Sequence, residues 1–583
     1  MERVYNFLIN HLNKRKYFYI VLFSVFAVYV IPFLFVQLPK GHDIYFHMTR
    51  IEGLAKELEI GNFPARIYSS VYYDYGYAAP LLYGDWLLHI PALLVLAGMN
   101  LVCAYKTFIL LCSVLAALSM YFSAQVILKD KKSSCVAALL YVFSTYFATD
   151  AYIRHANGEF QSFIFIPIAF AGLYNIVAED GIDFKNNRKW MLLPLGLCGV
   201  LVTHTITAAM TVVFFTIFTL LFIVKLIKQP KRLIYLVASI VLFFLLSASF
   251  ILPMVEQMTS SKFLATDGFS ADYFGTLAER AMPNIFSLFS VNNTHIEGTE
   301  HFIPQGVGPT LLFLIGWRLF YFKKTNSYKI NVLFALAVFA LLLTSRFFPW
   351  EYLQDICGTI QFPWRIFIFS SLFIALFGAM LVCKLKNVSP FSNTILIIAI
   401  VSISLTSAIC TLYPRYKTVY NAEKDNVVIE YPYPNNIGLG EYLPSGTSRA
   451  ELRNNKRNIQ SNADFAYCSL EKTDGIFIMK YKGKTQKDAY VDIPIVNYKG
   501  YKAVLETANG QKELPIDYGY NNLIRLNITE ESGTVRVWYD GTAIQKYSFF
   551  VSFLSFFGIG FYYLIVCFKR IKKNTLTTEI KVV

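Results

Sequence analysis

The chain has 583 residues, 55% of them hydrophobic, 17% aromatic and only 16% charged, with a formal net charge of +15. Soluble domains carry about a quarter charged residues, so this composition excludes an ordinary soluble protein; recurring apolar runs of roughly 20 residues each match a bilayer core about 30 Å thick. The basic residues fall in short clusters between those runs, the pattern of cytoplasmic loops, which makes the bilayer the partner of that charge and argues against nucleic acid.

Lys14, Arg15 and Lys16 hold the N-terminus in the cytoplasm, so the first helix (17–37) runs outward. It lacks a small-residue cleavage site and reads as a retained helix. The loop that follows, GHDIYFHMTRIEGLAKELEIGNFPARI (41–67), then lies on the outer face. The apolar run at 81–99 contains Asp85, His89 and Pro91, with Pro80 just before it. Such residues suit a segment lying on or dipping into the outer leaflet better than a lipid-exposed span. Helix two is therefore expected at 104–127.

Further spans are expected at 134–149, 161–178, 191–205, 208–227, 233–253, 307–322, 330–346, 363–383, 393–413 and 547–567. Every later basic cluster then faces the cytoplasm, from Lys129/Lys131/Lys132 through Lys225/Lys228/Lys231/Arg232 and Lys323/Lys324/Lys329 to Lys569/Arg570/Lys572/Lys573. The expected fold class is an α-helical polytopic membrane protein with about 12 transmembrane helices and both termini cytoplasmic. Its core is 1–413, with an outer first loop at 38–103; residues 547–583 form the last helix and a basic tail.

The segment 414–546 differs in kind. NVVIEY, GIFIMKY, AYVDIPIV, YKAVLET and TVRVWYD alternate or cluster β-branched and aromatic residues, and ANGQ, YNN and YDG punctuate them. Those are signals for short antiparallel strands, and they predict a β-rich extracytoplasmic domain, a small sandwich. None of the nine cysteines forms a CxxC pair, so neither a disulfide framework nor a zinc site is expected. Of eight histidines, only His11 maps to the cytoplasm; His42, His47, His89, His155, His204, His295 and His301 map to the outer side, which concentrates titratable groups on one face.

Three constellations can carry chemistry. Helical spacing puts Asp43, His47 and Arg50 on one stripe at i, i+4 and i+7. Asp43 at a helix start can simply cap backbone N–H groups; held beside His47 it can also accept a proton from a sugar hydroxyl or bind a divalent cation, and Arg50 can hold Asp43 ionised or touch a lipid phosphate. The turn TDAYIRHANGEF supplies Asp150, Arg154, His155 and Glu159, and lies one hairpin from the first loop, close enough for the acids to converge. SRFFPW and QFPWRIF supply Arg346 and Arg365. A guanidinium at membrane depth calls for an anion or an acid, and a polyprenyl-phosphate headgroup meets that need. Glu256, past Pro253, is a further acid for substrate binding.

At these residues a resemblance appears. A first helix ending in an Asp-bearing loop, a re-entrant PLLY segment and a second acid after helix three resemble the GT-C superfamily of integral-membrane glycosyltransferases. GHDIYFHMTRIEGLAKELEIGNFPARI, YGYAAPLLYGDWLLHIPALLVLAGMN and QFPWRIF resemble the bacterial membrane family labelled 6-pyruvoyl-tetrahydropterin synthase-related. EYLP at 441–444 and the tail from VDIPIVNYKGYKA to VRVWYDG are similar to YfhO-like proteins. The resemblance implies a GT-C-like core in a bacterial cell membrane and inverting transfer of a sugar from a polyprenyl-phosphate donor to a cell-envelope glycan on the outer face. It gives Asp43 the role of base or metal-associated acid, with Asp150 as second acid and His47 beside them. A magnesium or manganese ion, if one is used, would fall to Asp43, His47 and Asp150. No WWD-type motif is present, so an Asn-linked acceptor is not implied. A transporter or flippase of lipid-linked glycans, or a non-catalytic envelope assembly protein, would share the same membrane core.

Overall fold

Small polar residues mark the helix starts that the apolar runs leave undefined. Asn100 accepts a hydrogen bond from Cys103 N (2.8 Å) and opens helix Leu101–Leu128, while Asp130 accepts from Ser133 N (2.9 Å) and opens Lys131–Val142. Such caps satisfy backbone donors that the helix itself leaves unpaired. Between the two, Lys129 takes a left-handed conformation (φ 57°) and turns the chain back on itself. The structure, a computed structural model of the chain, describes residues 2–184, 186–266, 275–291, 294–295, 302–303, 306–428, 435–455, 457–484 and 488–579. His301 lies outside them, as do the side chains of His11 and His295.

Among the described residues seven helices are long and apolar enough to cross a membrane: Arg15–Leu34, Leu101–Leu128, Asn157–Val177, Lys231–Ser260, Pro363–Leu385, Pro390–Lys424 and Ala543–Val566. An eighth is a broken pair, Lys131–Val142 with Thr145–Arg154, bent by 45°. The expected spans at 191–205, 208–227, 307–322 and 330–346 are helices, but shorter ones of 10–17 residues. The run at 81–99 divides into Ala79–Leu82, a 3-10 turn Trp86–Leu88 and His89–Leu96. Eight helical residues reach only about 12 Å at 1.5 Å per residue, too short to span.

Burial ranks the helices. Of the most apolar 18-residue stretch, 94% is buried in Pro363–Leu385 and 89% in Asn157–Val177, against 11% in Ala543–Val566. The two most central helices are also the ones whose first turns bring Arg365 and Glu159 into the protein.

Helix Pro390–Lys424 continues beyond residue 413, so strands begin later than the sequence pattern suggests. From Gln460 the chain forms two antiparallel sheets. One has four strands in the order Gln460–Ser461, Tyr490–Val496, Leu523–Asn527, Ile516–Tyr518; the other has five, Asp464–Thr473, Ile476–Lys484, Ser532–Tyr539, Tyr501–Thr507, Gly510–Leu514. Register places Val535 opposite both Met479 and Leu505. These pack with Ile493, Ile495, Ile524 and Leu526 of the other sheet in one buried cluster, as the period-two alternation of side chains requires.

The sandwich is tied to the first loop. Val496 N donates to Tyr75 O (2.9 Å), Tyr72 Oη to Arg449 O (2.9 Å) and Lys472 Nζ to Ser69 O (2.8 Å). A strap at 435–449 runs between them: Tyr442 N donates to Tyr77 Oη (3.2 Å), and Ala265 N to Glu441 O (2.9 Å).

Candidate active site

Helix Ile44–Glu59 begins at Asp43, whose backbone (φ −110°, ψ 7°) is not yet helical and whose carboxylate makes no capping bond. Its C=O accepts from His47 N (3.1 Å), and its N–H donates to Arg154 O (2.9 Å). The second bond joins the first loop to the turn after the broken helix, so the two acidic stretches do meet. The approach is tight: a Cβ on Gly41 would come within 2.1 Å of the His155 ring.

That turn, Asp150–Arg154, is wound as a π-helix, a form found mostly as single turns at functional sites. Arg154 Nη1 donates to Asp150 Oδ1 (2.6 Å), Glu159 Oε2 (2.9 Å) and Tyr146 Oη (2.8 Å), and Tyr146 Oη donates to Glu159 Oε1 (2.6 Å). Arg365 Nε lies 3.5 Å from Glu159 Oε2. All five side chains are buried, yet among the described residues Asp150 Oδ2 and Arg365 Nε have no hydrogen-bond partner. Buried polar groups are ordinarily satisfied by protein, ordered water or ligand, so these two atoms are open to a further partner.

Asp43 lies close enough to this network for its charges to act on the carboxyl. It retains partial exposure, while the surrounding protein withdraws it from bulk water and pushes its carboxyl above the usual range; Arg154 and Arg365 oppose that shift and Glu159 adds to it. A second carboxyl comes from the strap. Glu441 is pushed up to about 7 by burial, with the charge of Asp43 contributing and the N–H groups of Glu441 and Leu439 opposing, and its Oε2 is buried without a partner.

Arg50 and His47 do something else. Arg50 Nη2 donates to the carbonyls of Tyr83 (2.9 Å) and Gly84 (2.7 Å), and its guanidinium lies 4.2 Å from the centre of the Tyr83 ring. It clamps the PLLYGD segment in place. The clamp closes on a bare backbone, since a Cβ on Gly84 would stand 1.8 Å from Val202 O and one on Gly158 2.1 Å from Tyr83 Oη. His47 is buried beside Arg50 (3.5 Å from Nη1), and burial first, then that positive charge, hold its imidazole neutral well below its usual range. The expected stripe is thus half realised: His47 and Arg50 pair, while Asp43 joins the turn at Arg154 through its backbone N–H and feels the charges of Arg154 and Arg365. His155 adjoins through Tyr105 Oη, 3.0 Å from Nδ1.

Two sequence candidates lie elsewhere. Glu256 accepts from Thr542 Oγ1 (2.6 Å) and pairs with Lys499 (3.5 Å), fastening the last helix and the sandwich to helix Lys231–Ser260. Arg346 is exposed and donates to Glu279 O (2.9 Å). In its place Arg280, absent from the sequence reading, lies 5.3 Å from the Phe362 ring centre, with Arg365 5.2 Å from the same ring. Burial and then the Arg365 charge lower Arg280 to about 10. Tyr83, Tyr146 and Glu441 were also missed as site residues; Tyr83 and Glu441 stand inside the quoted PLLY and EYLP stretches, whereas nothing local distinguishes Arg280.

As a metal centre, Asp43, His47 and Asp150 fit poorly. Arg154 occupies Asp150 Oδ1, His47 is turned to Arg50, and among the described residues no group of three or more His, Cys, Asp or Glu converges to hold an ion. What the arrangement offers is a carboxylate beside guanidinium groups, suited to take a proton next to a bound anion.

Comparison with known proteins adds the following. A protein of Lactococcus lactis subsp. cremoris described as uncharacterized is 22% identical over 93% of this chain and 95% of its own. The oligosaccharyltransferase of Archaeoglobus fulgidus in its apo form aligns at TM-score 0.35 and 16% identity over 68% of this chain. The same archaeal protein, AglB, in complex with an inhibitory peptide and a dolichol-phosphate aligns at TM-score 0.37 and 14% identity over 71%. This chain spans 55–56% of the length of those archaeal proteins. A family model described as a family of unknown function, DUF6541, matches residues 13–388. The chain belongs to that family.

Proposed function

We propose that the protein is an inverting GT-C-type glycosyltransferase of the bacterial cell membrane, moving a sugar from a polyprenyl-phosphate donor to a cell-envelope glycan on the outer face. The observation that carries this reading is the Asp43 carboxylate, which stands at a helix N-cap, caps nothing, and lies where the charges of Arg154 and Arg365 act on it, its loop being bonded to Arg154 O. The acceptor hydroxyl gives its proton to Asp43 as its oxygen bonds to the anomeric carbon. The bond from that carbon to the phosphate oxygen breaks, and the electron pair leaves with the phosphate. Arg365 receives the growing negative charge, and Arg280, its guanidinium bonded to the carbonyls of Thr276, Gly275 and Gln361, adds positive charge nearby. In this reading the guanidiniums supply the positive charge that a divalent cation would otherwise bring.

Asp150, Arg154, His155 and Glu159 position these groups, and the sandwich with its strap offers a surface for the acceptor. A flippase would need charges along a path through the bundle. The buried acid–base network instead gathers at the starts of Asn157–Val177 and Pro363–Leu385, which favours chemistry at one mouth. The test is glycan analysis of the cell envelope in a deletion strain. A glycan lost on deletion, restored by the wild type and not by Asp43→Asn, is the expected result; an unchanged envelope would remove the proposal.

A further inference from the structure

At the opposite end of the bundle from Asp43, a cavity of about 790 Å³ opens among Leu128, Phe222, Met380 and their neighbours. Helix Leu101–Leu128 begins near the active-site turn, where Tyr105 meets His155, and ends at this cavity; helix Phe367–Leu385 likewise starts just past Arg365 and ends here. The walls part because two helices, Thr205–Leu221 and Ile223–Lys228, break at Phe222 (φ −111°, ψ 16°). Three ammonium groups line the opening, Lys225, Lys329 and Lys384, with Asp180 as the one carboxylate in the lining.

The lysines are held in place. Lys225 Nζ donates to Ala178 O (2.8 Å) and to Asp180, and Lys329 Nζ to Asp180 Oδ2 (2.8 Å) while lying 5.5 Å from the Tyr174 ring centre. The side chains of Lys225 and Lys329 are 32% and 26% exposed, so both keep access to the opening. Lys384 is exposed on the last turn of its helix.

We infer that this cavity seats the phosphate headgroup of an anionic membrane lipid between Lys225, Lys329 and Lys384. Ammonium groups bind phosphate as point charges, and three of them against one carboxylate leave a net positive opening. The apolar walls distinguish a lipid from free phosphate, because acyl chains leaving the headgroup would run along the outward-facing apolar side chains Leu221 and Val224. Basic residues grouped at a membrane surface attract anionic lipid in the same way. The site is remote from Asp43 and stands whether or not the chain is a transferase.

Native mass spectrometry of the full-length protein, given equal phosphatidylglycerol and phosphatidylcholine, tests this. The wild type is expected to retain phosphatidylglycerol at least tenfold over phosphatidylcholine. Lys225→Ala with Lys384→Ala should abolish that preference, the paired Lys→Arg changes should keep it, and Asp180→Asn should raise it. If the alanine variant does not fold, the arginine and asparagine variants still decide. Millimolar inorganic phosphate should displace the lipid only partly. Equal retention of the two lipids would overturn the inference, as would a preference indifferent to all these substitutions. Full displacement by inorganic phosphate would assign the cavity to a soluble phosphate and overturn the lipid seat.

Discussion

Asn caps a helix about as well as Asp, and Asp43 forms no capping bond to lose, so Asp43→Asn isolates the charge of this side chain. Loss of a general base lowers rates by roughly 10²–10⁴-fold; transfer by Asp43→Asn in purified membranes should fall by that factor while the melting temperature stays within a degree or two of wild type. Near-normal transfer would remove Asp43 as the base. Arg365→Ala should weaken binding of a polyprenyl-phosphate probe, because Arg365 Nε is buried with only a 3.5 Å ion pair to Glu159; unchanged affinity would make Arg365 a partner of Glu159 alone. Glu441 gives a pH signature. Folding raises its pKa above the unfolded value of about 4.3 to about 7, so the native state holds the proton more tightly than the unfolded chain. Its contribution is full below the unfolded value and is lost as pH rises through the folded one. Thermal stability should therefore decline between pH 5 and 7.5, and Glu441→Gln should flatten that slope; an unaltered slope in the variant would place the titration elsewhere.

Elements, more than single residues, separate what the sequence displayed from what it concealed. The stripe Asp43–His47–Arg50 followed from helical period, and His47 and Arg50 obey it. Asp43 does not, because period applies only where backbone angles are helical, and the residue at the N-cap is free to turn away. The run at 81–99 carried Asp85, His89 and Pro91, with Pro80 just before it, which is why it could be read as a segment that does not span. Glu441 was illegible as a site residue because only the strap, bonded to Tyr77 and Ala265, brings it near Asp43. The seating of segment 79–88 is itself testable. A Cβ at Gly84 would meet the Val202 carbonyl at 1.8 Å, and that neighbour is backbone. Overpacking of this kind costs about 1–3 kcal/mol or more, so Gly84→Ala should lower the melting temperature and reduce transfer. Gly316→Ala, in a helix with nothing within 4 Å of the new Cβ, should be neutral or stabilising by up to about 1 kcal/mol. Equal behaviour of the two variants would mean the segment yields freely.

For the molecule as a whole, hydropathy located the helices but not their lengths. Thr310–Phe320 has 11 residues and reaches about 17 Å at 1.5 Å per residue, well short of a bilayer core, a difference that hydropathy alone conceals although Gly308 and Pro309 stand at the start of the expected span. The grouping of basic clusters was more legible, because clusters that lie far apart in sequence gather at one end of the bundle. Lys386 pairs with Asp130 (2.8 Å), Lys129 with Glu179, and Lys225 and Lys329 both with Asp180. The sandwich is fastened to the first loop at the other end. The positive-inside rule predicts a cytoplasmic lysine-rich end, with Asp43, the strap and the sandwich outside. Single cysteines at exposed positions read this directly, in a background where the exposed Cys410 and Cys468 are replaced by Ser. Asn509→Cys, in the turn between the last strands of the five-stranded sheet, should react with an impermeant thiol reagent on intact cells. Asn326→Cys and Asn387→Cys, at the lysine-rich end, should react only after permeabilisation. The reverse pattern would turn the chain over and place Asp43 in the cytoplasm, and the proposed transfer on the outer face would have no catalytic base there.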